Sequence, residues 1–317
     1  MGPPLLLEAE VSVAELTAES LLSVKPQSQG MIIWRRFRKH RLALAGLGVI
    51  FILLVLSFAA PIIAPFDPIT DQDLTNRNAS PSLTHLMGTD ELGRDVFSRL
   101  LYAGRISLSV AIIVVVVTEV FGAFIGAVSG FYGGWVDMLI QRFTEFMISM
   151  PTLPLLLVFS SLLRGVTIPF VPPQFTSVVV VIVVLSIFGW MGPCRQARGM
   201  VLSLRRMEFT EASQALGMSD LRIIGRHMIP NALPPLIVDA TLALGGVIIV
   251  ESALSFLGFG VQPPEPTWGN MLNEYQRDMW LQPLKVFFPG LAIFMASLSF
   301  NYAGDGLRDA VDPRLKK

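Results

Sequence analysis

What this chain has little of narrows its class first. Only 15% of its 317 residues are charged, against about 25% in an ordinary soluble domain. Its 24 basic and 24 acidic side chains cancel, so no bulk positive field draws it to nucleic acid. A single cysteine, Cys194, excludes an internal disulfide and a zinc site of the usual thiolate kind. The reading for that thiol is a small buried residue near a helix end. The three histidines, His40, His85 and His227, all lie in polar flanks or loops, which leaves a Cys–His nucleophile without its base. The chain carries no HExxH zinc helix, no GxSxG elbow and no GxxxxGK[ST] phosphate loop. No catalytic residue and no metal ligand is therefore assigned, and no ATP site of its own is expected. A basic leader is missing too. Glu8, Glu10, Glu15 and Glu19 occupy the first stretch, so residues 1–30 are expected to form a cytoplasmic extension.

What is present is apolar length. Hydrophobic residues make up 52% of the chain and the mean hydropathy is +0.60. Six runs read as crossings of a bilayer core of about 30 Å, the first reaching about 33 Å at about 1.5 Å per helical residue. They are Leu42–Ile63, Leu108–Val128, Ile140–Leu163, Ser177–Met191, Ala232–Ser255 and Leu284–Phe300. The third is expected to kink at Pro151 and Pro154. Before the first run, Ile32–Arg41 sets Trp34 and Phe37 among Arg and Lys side chains, the composition of a headgroup-level anchor. The architecture this predicts is an all-α membrane protein with six transmembrane helices.

Two of these spans carry three acids between them. Glu119, Asp239 and Glu251 lie inside apolar runs, where a carboxylate is costly unless it faces a bundle interior or a water-filled path. They are candidates for a translocation path, with a hydrogen bond to a neighbouring helix as the plainer reading. In the long polar loop Phe66–Arg99, Thr89 reads as a helix cap with Asp90 and Glu91 in the first turn. Leu92, Val96 and Leu100 would then form the apolar face of a helix along the membrane surface. Asp90, Glu91 and Asp95 read as a solvated helix end neighboured by Arg94 and Arg99.

The longest charge-bearing stretch set between apolar runs is residues 195–230. Glu211-Ala212-Ser213-Gln214-Ala215-Leu216 reads as helix, with Gly217 placed for a left-handed cap. Ser219 reads as the cap of a second short helix with Leu221, Ile224 and Met228 on one face, and Pro230, Pro234 and Pro235 shape the start of the next apolar run. Two short amphipathic helices, too polar to span, are a surface for a soluble partner. With the amino terminus inside, seventeen of the 24 Lys and Arg fall on inside segments, including this loop. That predicts both termini and the loop in the cytoplasm.

These residues carry a family resemblance. Glu211-Ala212-Ser213, three residues, Gly217 and then Pro230 resembles the EAA loop of ABC-transporter permeases, EAA-x3-G-x9-I-x-L-P, with Ser213 for the second Ala, His227 for the first Ile and Ile229 for Leu. Three further stretches are similar to the oligopeptide/dipeptide branch, in the subunit lettered C. They are Trp34-Arg35-Arg36-Phe37 with the first span, Leu86 to Asp95 continuing to Leu108, and Glu251 to Gly260 continuing to Gly269. Together they cover about residues 31–312. The resemblance implies a type I ABC importer permease fold in the cell inner membrane, and a permease subunit of an ATP-driven, binding-protein-dependent importer of di- or oligopeptides. It implies a second homologous permease as heterodimer partner, two ATP-binding subunits that hold ATP and Mg, an extracytoplasmic substrate-binding protein, and no nucleic acid. It implies contact with the ATPase through Glu211, Ala212, Ser213, Ala215, Gly217, Ile224 and Pro230. Residues 1–30 would then be an extension. Residues 31–104 would hold the basic arm, first span and outer loop, and 105–317 a five-helix core. The competing expectation is an ion-coupled secondary transporter, for which the three intramembrane acids would be the coupling groups.

Overall fold

A computed structural model describes residues 29–312. The extension expected over residues 1–30 therefore lies almost wholly outside the described residues. Among the described residues thirteen α-helices follow one another. α1 (Gln29–Phe37) ends in Arg35 and Arg36, and α2 (Arg41–Phe58) starts on His40, whose Nδ1 accepts the Ala43 amide at 3.1 Å. α3 (Ala60–Ile63) ends the first crossing, before an outer loop with a single 3₁₀ turn at Leu74–Asn76. α4 (Val96–Tyr132) is 37 residues long, about 55 Å at 1.5 Å per residue. α5 (Gly134–Ser149) and α6 (Thr152–Leu162) meet at an 89° bend. α7 (Pro173–Gly189) and α8 (Met191–Leu204) run on from one another and pass as one apolar stretch. α9 (Glu208–Ala215), α10 (Asp220–Ile223) and a π-turn at Ile224–Met228 lead into α11 (Ile229–Phe256). α12 (Trp268–Tyr275) starts in a capping box between Thr267 and Asn270, and α13 (Pro283–Val311) closes the order.

Among the described residues, five helical stretches are long and apolar enough to cross a membrane, or six if α5–α6 is one broken crossing. Four of the six expected spans lie within longer helical stretches, while the first is shared by α2 and α3 and the third by the bent pair α5–α6. The break between α5 and α6 falls at Met150–Pro151. Pro151 removes an amide and forces its neighbour extended, and Met150 indeed has ψ 144°. The boundary drawn at 104/105 falls inside α4, which is unbroken there.

α4 is the axis of the bundle, packed against α2, α7, α8 and α11, while α13 closes against α2 and α11. Its closest neighbour is α8, and the cause is a stripe of Gly122, Gly126 and Gly130. A Cβ built on Gly126 would overlap the Cys194 carbonyl oxygen and sit 2.9 Å from its carbon and 3.0 Å from the Ala197 Cβ. Only hydrogen fits. In lipid, where no hydrophobic gain drives helices together, such close approach supplies the dispersion that does. Cys194 is buried in this seam as expected.

Two expectations for the outer loop fail. No helix starts at Thr89. Residues 88–95 fold back on themselves with a bridge between Thr89 and Asp95, and α4 begins at Val96 with Asp95 accepting the Ser98 amide at 2.7 Å. Gly88 and Gly93 sit at φ +77° and +74°, and the Asp90 carboxylate takes the amides of Leu92 and Arg94, a local turn that outcompetes helix. Nor is the acid cluster a solvated helix end. Asp90 and Asp95 are each 2% exposed and Arg99 1%; Glu91 alone stays in solvent. Arg94 reaches Asp90 at 2.7 Å and Glu274 at 3.0 Å, while Arg99 reaches Glu274 at 2.7 Å and Asp90 at 3.5 Å. Two guanidiniums and two carboxylates thus tie α12 to the foot of α4. Tyr275 completes the cluster, and burial pushes its hydroxyl well above the usual phenol range.

Candidate functional site

At one end of the bundle α8, α9, α10 and the start of α11 form a helical platform. The α9 turn closes as the sequence predicts: Gly217 has φ +75°. Its amide donates to the Gln214 carbonyl at 2.9 Å, and the Met218 amide to the Ser213 carbonyl at 3.1 Å. Those two bonds make a Schellman cap. Thr210 anchors the start of α9 by donating to the Leu204 carbonyl at 2.9 Å. Beneath, Ile223, Ile224 and Met228 pack with Ala127 and Phe131 of α4 and Val201 of α8. The Asp220 carboxylate lies close to the Tyr132 hydroxyl at the end of α4.

The seven residues named for this loop divide into two groups. Glu211, Ala212, Ala215, Gly217 and Pro230 are exposed on the platform. Ser213 and Ile224 are buried. The Ser213 hydroxyl donates back to the Phe209 carbonyl at 2.7 Å, and Ile224 belongs to the cluster that seats the platform on α4. The expected apolar face of the second helix also changes. Leu221 is 65% exposed, and Ile223 takes the buried place. The π-turn explains this, because its extra residue per turn shifts the phase of everything before it relative to α11. Ser219 caps with its backbone carbonyl, not its hydroxyl. What the sequence reading missed is the pair flanking Gly217: Leu216 is 85% exposed beside Leu221. Large apolar side chains held out on a charged platform are what a contact surface would offer, and the signal was their placement on either side of a left-handed glycine. Arg206, Arg222 and Arg226 are exposed around them.

The three intramembrane acids fall in two places on the α4–α11 seam. Glu251 is fully enclosed. Its carboxylate takes the hydroxyls of Ser255 at 2.8 Å, Ser107 at 3.3 Å and Ser252 at 3.4 Å, together with Thr267. Ser107 in turn accepts the Trp268 amide at 3.2 Å, so this acid binds α4, α11 and α12 to one another. Glu119 and Asp239 lie near each other three turns closer to the platform, both half-buried. No hydrogen-bond donor among the described residues reaches either Glu119 oxygen.

Residues 122–317 match the family described as the binding-protein-dependent transport system inner membrane component, and residues 28–81 match the N-terminal TM domain of oligopeptide transport permease C. The chain belongs to this family. The dipeptide transport system permease protein DppC of Alkalihalophilus pseudofirmus is 38% identical over 283 residues, 89% of each chain. The glutathione transport system permease protein GsiD of Pectobacterium atrosepticum is 37% identical, covering 89% of this chain and 90% of its own length. GsiD of Escherichia coli O157:H7 is 38% identical with the same coverage. The fold is that of a type I ABC importer permease, and the protein is a multi-pass component of the inner membrane. It is a transport subunit of a binding-protein-dependent importer, working with further permease, ATPase and substrate-binding chains. The ion-coupled secondary transporter is set aside. The platform at 205–230 lies wholly within the matched region.

Proposed function

We propose that this permease forms half of the path of an ATP-driven importer of di- or oligopeptides, paired with one homologous permease above two ATPase subunits. The observation that carries the reading is the platform: Leu216 and Leu221 stand exposed on either side of the Schellman turn at Gly217, with Glu211, Ala212, Ala215 and Pro230 beside them. Ala212 and Ala215 keep the surface thin, and Glu211 is free to accept from amides or basic groups of the ATPase. Ser213 and Ile224 act from below, holding the platform rigid against α4. The relatives' names support a peptide cargo, since one serves dipeptides and two serve glutathione. Seventeen of 24 basic residues on the platform side and the terminal arms support cytoplasmic termini. ATP and Mg belong to the ATPase chains, whose closure would drive the platform as a rigid body and switch the bundle between inward-open and outward-open forms. Of the three acids, Glu119 and Asp239 are the path candidates; Glu251, closed in by hydroxyls, acts as a strut.

The test is purification of the carboxyl-tagged protein from native membranes in mild detergent, with identification of its companions by mass spectrometry. Recovery of a second permease and two ATPase chains, with peptide-stimulated ATP hydrolysis when the binding protein is added, is expected. Recovery of this chain alone, moving solute in liposomes without ATP, sinks the proposal.

A further inference from the structure

At the end of the bundle opposite the platform, the loop between α6 and α7 and the chain after α11 enclose a cavity of about 770 Å³. That is the size range of small-ligand sites. Among the residues that line it, Arg164 alone is charged; no carboxylate lines it. The guanidinium is held rather than free. Its Nη2 donates to Gln262 Oε1 at 2.8 Å. Gln262 is itself fixed from three sides: its Nε2 donates to the Gly260 carbonyl at 2.8 Å and the Gly258 carbonyl at 3.1 Å, and its amide donates to Ser177 Oγ at 3.2 Å. Those two carbonyls settle the amide's orientation, since the reverse would set three oxygens together. The result is a cation with one donor engaged by a neutral partner and its remaining donors unmatched among the described residues. Thr167, Gln174 and Ser177 supply neutral polar groups to the same cavity.

We infer that this cavity is a receiving site for the carboxylate end of the imported peptide, with Arg164 as its anchor and Gln262 as the residue that positions Arg164. The inference rests on the importer reading above and deepens it. A guanidinium fork pairs bidentately with a carboxylate, and an uncompensated positive charge repels an α-ammonium. The cavity therefore selects for peptides arriving carboxylate-first with a free terminus. A bidentate charge-assisted pair is worth roughly tenfold in affinity.

The experiment uses the assembled permease–ATPase complex in nanodiscs, with the binding protein omitted so that its own selectivity does not enter. Saturation-transfer NMR measures the affinity of trialanine and of trialanine amide. The wild type should prefer the free acid by roughly tenfold, Arg164→Gln should bind both alike, and Arg164→Lys should keep part of the preference as a point charge without the fork. Heat-induced labelling of Cys194 in Arg164→Gln should match the wild type, because Arg164 is exposed with one neutral bond. Equal binding of acid and amide by the wild type, a preference that survives Arg164→Gln, or no binding of either peptide overturns the site. The last result, with binding-protein-delivered trialanine uptake intact, removes the site and leaves the importer reading standing. Absent uptake under those conditions removes the importer reading itself. If Arg164→Gln instead loses only its stimulation by the binding protein, the residue docks that protein and the inference fails.

Discussion

Replacing Glu274 with Met strands two guanidiniums on one carboxylate. Arg99, 1% exposed, loses its 2.7 Å partner and keeps only Asp90 at 3.5 Å, which Arg94 already holds at 2.7 Å. Removing one partner from a buried charge pair costs about 3–5 kcal/mol. At about 2 °C per kcal/mol for a chain of this size, that is a fall in apparent Tm on the order of 8 °C. Arg99→Met is the milder single change, at about 1–3 kcal/mol, because Glu274 is a quarter exposed and still bonded to Arg94. The double variant restores one cation to one anion, and long apolar side chains fill the vacated space. Its cost should fall at least about 2 kcal/mol below the sum of the singles. Cys194 is a convenient reporter, being this chain's only thiol and buried. A maleimide dye, followed on the resolved band of this chain while the assembled importer is heated, reads its exposure. A double variant as labile as the two costs added together would show that the four charges act independently, and would refute the account of α12 as tethered to α4 by charge balance.

Three further outcomes follow from single sites. Gly126→Leu must force α4 from α8, at a cost of at least about 3 kcal/mol, and should abolish recovery of folded protein; recovery at wild-type yield would contradict the packing. Gly217→Ala costs about 1–2 kcal/mol in the left-handed region, yet a Cβ there meets nothing. Uptake should fall several-fold and recover in Gly217→Asn, whereas Gly217→Arg should stop uptake with membrane insertion unchanged; equal loss in Ala and Asn would assign the glycine to partner contact alone. Burial, with Asp67 adding repulsion, raises the Glu265 carboxyl above its usual range. A raised carboxyl favours the protonated fold, so this contribution is full below the ordinary carboxylate pKa and is lost as pH rises through the raised value. Glu265→Gln should match the wild type in acid and become the more heat-resistant of the two above that pH; identical curves at every pH would refute it.

Much of the fold was legible because lipid imposes a simple code. A run of about twenty apolar residues can hardly be anything but a crossing, and helix covers all six expected runs, the third as the bent pair α5–α6. The α9 turn was legible for a local reason, a glycine where the chain must turn left-handed. What escaped needed information from far along the chain. Arg99 and Glu274 are 175 residues apart, so nothing near Asp90 announces that the cluster is buried. Crossing lengths escaped because a helix packed in protein continues past its apolar run: Pro230, Pro234 and Pro235 read as shaping the start of that run, and α11 takes Pro230 into its first turn and continues through Pro234 and Pro235. The Gly122-Gly126-Gly130 spacing was a readable signal that was passed over, although it sets the tightest contact in the bundle. The π-turn that exposes Leu221 has no sequence mark that separates it from ordinary helix.

From Asp220 to Phe256 α10, the π-turn and α11 run on as one helical rod of 37 residues, about 55 Å from end to end. One tip lies in the platform. The other stops a few residues short of Gln262, which holds Arg164. Such a rod is a lever: a tilt of about 5° at its foot sweeps its head by about 5 Å, more than the width of a carboxylate. The softest joint is also at the foot, where the π-turn and three prolines lie, so bending concentrates there and the upper length moves undeformed. Force applied beneath the membrane would thus reach the outer cavity as displacement, with gain and almost no delay, and would open or shut the grip on an arriving peptide without any signal passing through the side chains between.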